Sequence, residues 1–194
     1  GKTLERVMGA ALSVSEPNKL AVAAISHIVH FDKEVLLAFE QELYERSTTA
    51  DDGSQAITAG EFEKAMTTVK IHPSDREILD RLFVLHDRAG DGIIAVREFV
   101  VGTSVLVKGK PMEKLTLSLS IYDREKTGRL TKSDLLQALQ WLIKTGTFFG
   151  DMPPTAEALS ALVDRVFVKI VDESPEDPSY AIYINPIMSH PLLE

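Results

Sequence analysis

Leu82-Phe83-Val84-Leu85-His86-Asp87-Arg88-Ala89-Gly90-Asp91-Gly92-Ile93-Ile94-Ala95-Val96-Arg97-Glu98-Phe99 decides how this 194-residue chain folds. An apolar helical stretch runs into an acidic loop containing glycines and leaves through Glu98 and Phe99. The pattern recurs in Tyr122-Asp123-Arg124-Glu125-Lys126-Thr127-Gly128-Arg129-Leu130-Thr131-Lys132-Ser133-Asp134-Leu135, where Asp123 stands 36 residues after Asp87. A fixed period of this size marks a duplicated helix-loop-helix unit.

Weaker copies flank these two. The first runs from Asp51-Asp52-Gly53 to Gly60-Glu61-Phe62, with Glu61 37 residues before Glu98. The last runs from Val171-Asp172 to Ile182-Tyr183-Ile184-Asn185-Pro186-Ile187, with a longer loop. Ser74-Asp75-Arg76-Glu77 after Pro73 predicts a capping box, and Thr131 with Asp134 a looser one. Leu159, Leu162, Val163, Val166, Phe167 and Ile170 follow helical spacing after the Pro153-Pro154 break. Asn185-Pro186 reads as a cap followed by a first-turn proline. The expected fold is all-α: four units in two pairs, with short β pieces centred on Ile57, Ile94, Leu130 and Ile182. These would join loop one to two and loop three to four.

Pro111 after Lys108-Gly109-Lys110 is the predicted lobe boundary, giving an N-terminal helical extension (1–30), an N-lobe (31–109) and a C-lobe (110–194). A second break runs from Thr145 to Pro154. Within the extension, Leu4–Leu12 and Lys19–Val29 have apolar helical faces that could cover a groove.

A calcium loop draws oxygens from positions 1, 3, 5, 7, 9 and 12 and needs glycine at 6. Loop two offers Asp87, Asp91 and Glu98 at positions 1, 5 and 12, the Ile93 carbonyl at 7 and Gly92 at 6, while Ala89 and Ala95 give nothing at 3 and 9. Three carboxylates predict either a weak site or a loop that kept its shape without its ion. Loop three offers Asp123, Glu125, Thr127 and Asp134, with Gly128 at 6 and Thr131 at 9. The shorter Asp134 at position 12 favours a smaller octahedral ion, so Ca2+ or Mg2+ are the candidates and no other cofactor is expected. Loops one and four, with Ala50 at position 1 and Pro186 at position 12, are expected to bind no metal.

The chain carries 29 acidic and 21 basic side chains, a net charge of -8. That balance disfavours nucleic acid and anionic membrane as partners and fits cations or a basic helix. The absence of cysteine removes disulfides, thiolate zinc sites and Cys nucleophiles, and predicts a reducing cytoplasmic setting. No apolar run reaches the roughly 20 residues of a membrane span. Gly1-Lys2-Thr3 is not expected to carry a lipid, since Glu5 stands where that motif needs Ser or Thr. There is no His-Glu-x-x-His, Gly-x-Ser-x-Gly, phosphate loop or triad, so no enzyme is expected. His86 reads as a core imidazole, and Tyr183 as a packing residue.

The stretch from Phe83 to Ile121, with Glu98-Phe99-Val100-Val101-Gly102-Thr103-Ser104, Gly109 and Glu113-Lys114-Leu115, resembles the EF-hand proteins of the calcineurin B and neuronal calcium sensor group. His30-Phe31-Asp32-Lys33-Glu34-Val35 resembles their N-terminal signature. Within the group, that segment and Ile78-Leu79-Asp80-Arg81-Leu82-Phe83 resemble the calaxin type of outer-arm dynein docking protein. His190-Pro191-Leu192-Leu193 is similar to calcineurin B-like kinase regulators. The resemblance implies two EF-hand pairs around a groove that grips an amphipathic helix of a protein target.

Candidate groove residues are Val101, Val105, Leu119, Leu139, Trp141, Leu142, Phe148 and Phe149, with Val100, Leu106, Leu115 and Leu136 beside them; each alone also reads as core. The aromatic residues flank a glycine-rich break and could anchor a target helix, or a piece of this chain could fill the groove. Two functions follow: an adaptor with eroded loops, or a Ca2+-responsive regulator of a ciliary motor complex, a kinase or a phosphatase.

Overall fold

The computed structural model describes residues 31–148, 152–173 and 180–189. The two helical stretches expected before residue 30, Phe149 and the terminal His190–Leu193 lie outside them.

Unit one is α1 (Lys33–Arg46), a hairpin of β1 (Thr48–Thr49) and β2 (Gln55–Thr58), and α2 (Ala59–Thr68). Unit two is α3 (Pro73–His86), β3 (Ile93–Ala95) and α4 (Val96–Thr103), closed by a 3-10 turn over Ser104–Leu106. Unit three is α5 (Pro111–Tyr122) and α6 (Lys132–Phe148), and unit four is α7 (Ala156–Glu173) and α8 (Ala181–Met188).

Local chemistry sets the helix ends. Asp32 caps α1 by accepting the Val35 N–H at 2.9 Å, and Thr58 accepts the Glu61 N–H to open α2. Helix α3 starts two residues earlier than the predicted box places it: Pro73 takes the first helical position, where its missing N–H costs nothing, and the His72 ring, at the cap, accepts the Ser74 N–H. At α6 the predicted pair forms, with Asp134 N–H donating to Thr131 Oγ1 at 3.1 Å and Thr131 N–H returning to Asp134 Oδ2 at 2.9 Å.

Loops one and two pair as expected, antiparallel with Ile57 opposite Ile94. Loops three and four join differently. Ile182 lies inside α8, and no strand forms at Leu130. The Tyr183 hydroxyl stands in for the missing strand: it accepts the Leu130 N–H at 2.7 Å and donates to the Leu130 carbonyl at 3.2 Å. One side chain thereby satisfies both backbone groups a β bridge would have paired. Pro186 likewise sits within α8 rather than at its first turn, so Asn185 is no cap.

The core is continuous through all four units. At the centre of the first two, Phe62 meets Phe39, Phe83 and Phe99 at ring separations of 5.4, 4.9 and 5.0 Å. Phe62 and Phe99 each follow the position-12 glutamate of their loop, which places one ring per unit inward. Helix α4 lies against α6 so closely that a Cβ on Gly102 would stand 2.7 Å from Thr145 Oγ1. Across the predicted boundary, Ser104 and Ser118 hydroxyls meet at 2.5 Å, and buried Lys114 donates to the Val105 carbonyl at 2.6 Å. Buried polar groups therefore pair with one another and knit unit two to unit three.

Candidate functional site

Loop one has folded in on itself. Thr48 pairs with Ala56 and Thr49 with Gln55, the Ala50 N–H donates to the Ser54 carbonyl, and the Gly53 N–H donates back to Ala50. Position 1 is thus spent on a hairpin.

Loop two keeps the ion-loop backbone. Asp87 ends α3, and its carboxylate accepts N–H groups of Gly90, Asp91 and Gly92 at 2.8, 3.2 and 2.9 Å. Gly90 and Gly92 take φ values of 71° and 75°, the left-handed region that glycine enters without strain. Asp91 accepts the Ile93 N–H at 3.0 Å. Glu98, half-buried, instead lines a cleft of about 450 Å3 with Tyr44, Gln55, Arg97, Arg124 and Trp141.

In loop three the Asp123 carboxylate accepts the Gly128 N–H at 2.7 Å, the Thr127 hydroxyl at 3.3 Å and, from unit four, the Tyr180 hydroxyl at 2.9 Å. Burial and the Asp123 charge push the Tyr180 hydroxyl up, so it stays a donor. Asp134 at position 12 is held by Thr131 and accepts the Tyr122 hydroxyl at 3.3 Å. Burial raises its pKa, but these donors outweigh that and leave it below the usual carboxylate range. Glu125 and Thr127 are exposed.

Among the described residues, no three carboxylate or imidazole groups converge on a cation position. In the fold, the carboxylates of Asp87, Asp123 and Asp134 accept backbone N–H groups, the Thr131 hydroxyl and tyrosine hydroxyls.

The groove candidates pack inward. Val101, Val105, Leu119, Leu139 and Leu142 are buried between helices of this chain, while Trp141 is half-buried with its ring 5.4 Å from Tyr122. Phe148 ends α6, and its side chain lies outside the described set. Two arginines clasp the halves of the molecule together. Arg124 of loop three sits 3.8 Å from the centre of the Tyr44 ring on α1, and Arg97 of α4 sits 5.3 Å from that of Tyr122 on α5. Sequence reading gives Tyr183 packing alone and passes over Tyr180 and this clasp, because each contact joins residues far apart in the chain and follows no period.

His86 packs edge-on to Phe99 with both ring nitrogens buried and unpaired. Burial, aided by the Lys144 and Arg88 charges, lowers its pKa to about 3, consistent with a neutral core imidazole. No described helix is long and apolar enough to cross a membrane.

Paired helix-loop-helix units joined through position 8 of their loops define the class to which calcium-binding regulators belong. The chain is 31% identical to the type 2 calcineurin B protein of Homo sapiens over 72% of this chain and 74% of that protein. It is 31% identical to calcium-binding protein NCSA of Dictyostelium discoideum over 67% of each. It is also 31% identical to the guanylyl cyclase inhibitory protein of Lithobates pipiens, over 66% of this chain and 64% of that protein, somewhat under two thirds of its length. The chain belongs to the EF-hand calcium-sensor family that includes calcineurin B and the recoverin-type proteins. No family model and no solved structure matches it.

Proposed function

We propose that the chain is an EF-hand adaptor: it holds an amphipathic helix of a target protein, and its degenerate loops bind Ca2+ weakly or not at all. One observation carries the reading. Loop three is held by hydroxyls, with Tyr180 on Asp123 and Tyr122 and Thr131 on Asp134, so the carboxylates at positions 1 and 12 already have donors. The protein performs no chemistry of its own and acts by holding its partner.

The alternative is a calcium-responsive regulator, favoured by relatives that carry the names of a calcium-binding protein and of calcineurin B. In that reading Asp123 and Asp134 exchange their hydroxyl donors for an ion, and the helices of units three and four reorient. Its ciliary version rests on the resemblance of residues 30–35 and 78–83 to calaxin.

Calorimetric titration of Ca2+ into the protein on a background of cellular Mg2+, with Trp141 fluorescence followed in parallel, separates the two. The adaptor gives no micromolar heat and no spectral change. Micromolar binding that shifts Trp141 and disappears in D87A/D123A makes the protein a sensor.

A further inference from the structure

Helices α1 and α5 leave a groove between them that the core does not fill. Two adjoining hollows, of about 530 and 370 Å3, share Lys33, Leu117 and Ser120. The floor is apolar: Leu117 and Ile121 lie one helical turn apart on α5, and Leu37 faces them from α1 at 39% exposure. The rim is basic, with exposed Lys33, Lys108 and Lys126, none of which makes an ion pair among the described residues.

The two carboxylates lining the hollows, Glu40 and Glu113, are outnumbered by Lys33, Lys108, Lys114, Arg124 and Lys126. Glu113 accepts the Lys110 N–H at 2.7 Å, which turns one of its oxygens toward the start of α5. Glu40 is a half-buried carboxyl whose pKa burial raises, against the pull of Arg124 and Lys126. Lys114, at the base of the second hollow, adds a buried ammonium. The groove is thus a positive strip on a protein of net charge -8. Residues 1–30 do not complement it, since Lys2, Arg6 and Lys19 outnumber Glu5 and Glu16.

We propose that this groove is the docking surface for the target, and that the target segment is an acidic amphipathic helix. This rests on the adaptor reading and gives it a place and a charge. Apolar side chains one turn apart would meet Leu37, Leu117 and Ile121, and flanking carboxylates would meet Lys33, Lys108 and Lys126. The prediction opposes the one net charge alone makes, which is a basic partner.

The test is fluorescence anisotropy of the full chain with two synthetic amphipathic helices that share one leucine face, one flanked by glutamates and the other by lysines. The acidic peptide binds and weakens as salt rises, the lysine peptide does not, and K33E/K126E costs the acidic peptide about tenfold or more in affinity. Circular dichroism checks that the variant stays folded, and Leu117→Gln gives a second, uncharged route to loss of binding. Equal binding of both peptides, or no effect of either variant, overturns the groove while leaving helix binding in place. No binding of either peptide removes the groove and the adaptor reading together. The chain's own Glu173-Ser174-Pro175-Glu176-Asp177 is the competing acidic segment, and tighter peptide binding in E176Q/D177N would assign the groove to it and overturn the proposal.

Discussion

At Gly102 the fold leaves no room for a methyl group, because α4 and α6 meet there with Thr145 and His86 on the facing side. Gly102→Ala gains helix propensity and loses more to overpacking, a net destabilisation of about 1–2 kcal/mol in urea unfolding. Gly60, with nothing within 4 Å of where a methyl group would stand, is the control: Gly60→Ala stabilises by about 0.5 kcal/mol. His86 supplies a pH dependence. Its folded pKa of about 3 lies below the ordinary 6.5, so below pH 6.5 the unfolded chain binds a proton the folded chain refuses. Stability therefore falls as pH drops from 6.5 toward 3, by about 2 kcal/mol between pH 7 and pH 5 from this group. Unfolding curves of His86→Leu at the two pH values lack that part of the loss. His86 was legible as a core residue from its place on an apolar helix, whereas the glycine contact was not, since it depends on how two distant helices cross.

Among the elements, the position-8 residues show what periodicity can and cannot reveal. Ile57 and Ile94 pair as their alternation predicts, because two short extended segments of like pattern have only each other. Leu130 carries the same signal, yet its backbone partner is a tyrosine hydroxyl from a helix. A spacing rule cannot anticipate that substitution, since it replaces a strand by one atom. Tyr183→Phe removes both bonds and leaves a buried N–H unpaired, so it costs about 1–3 kcal/mol by urea unfolding. A cost near zero would show that unit four is held by packing alone. Tyr180→Phe frees an oxygen of Asp123 and raises the calorimetric affinity of loop three for a divalent ion relative to the unaltered chain.

Over the whole molecule, apolar faces were readable but their partners were not. Val101, Leu119, Leu139 and Leu142 were candidate groove walls, and in the fold they face other helices of the same chain. Helical spacing identifies a face to be covered and leaves open what covers it. The loop chemistry was readable from composition: the missing ligand at Ala89 and the short Asp134 were visible in sequence, while the tyrosine hydroxyls that Asp123 and Asp134 accept required the fold.

The central claim is that these loops hold their form through the protein's own hydrogen bonds. The most direct measurement is thermal unfolding in excess chelator and in about 1 mM Ca2+, since any ion bound only by the folded state raises the midpoint by mass action. Loops held this way give midpoints that agree within about 1 °C. A rise of about 8 °C or more, which a micromolar site would produce in a chain of this size, would contradict the claim.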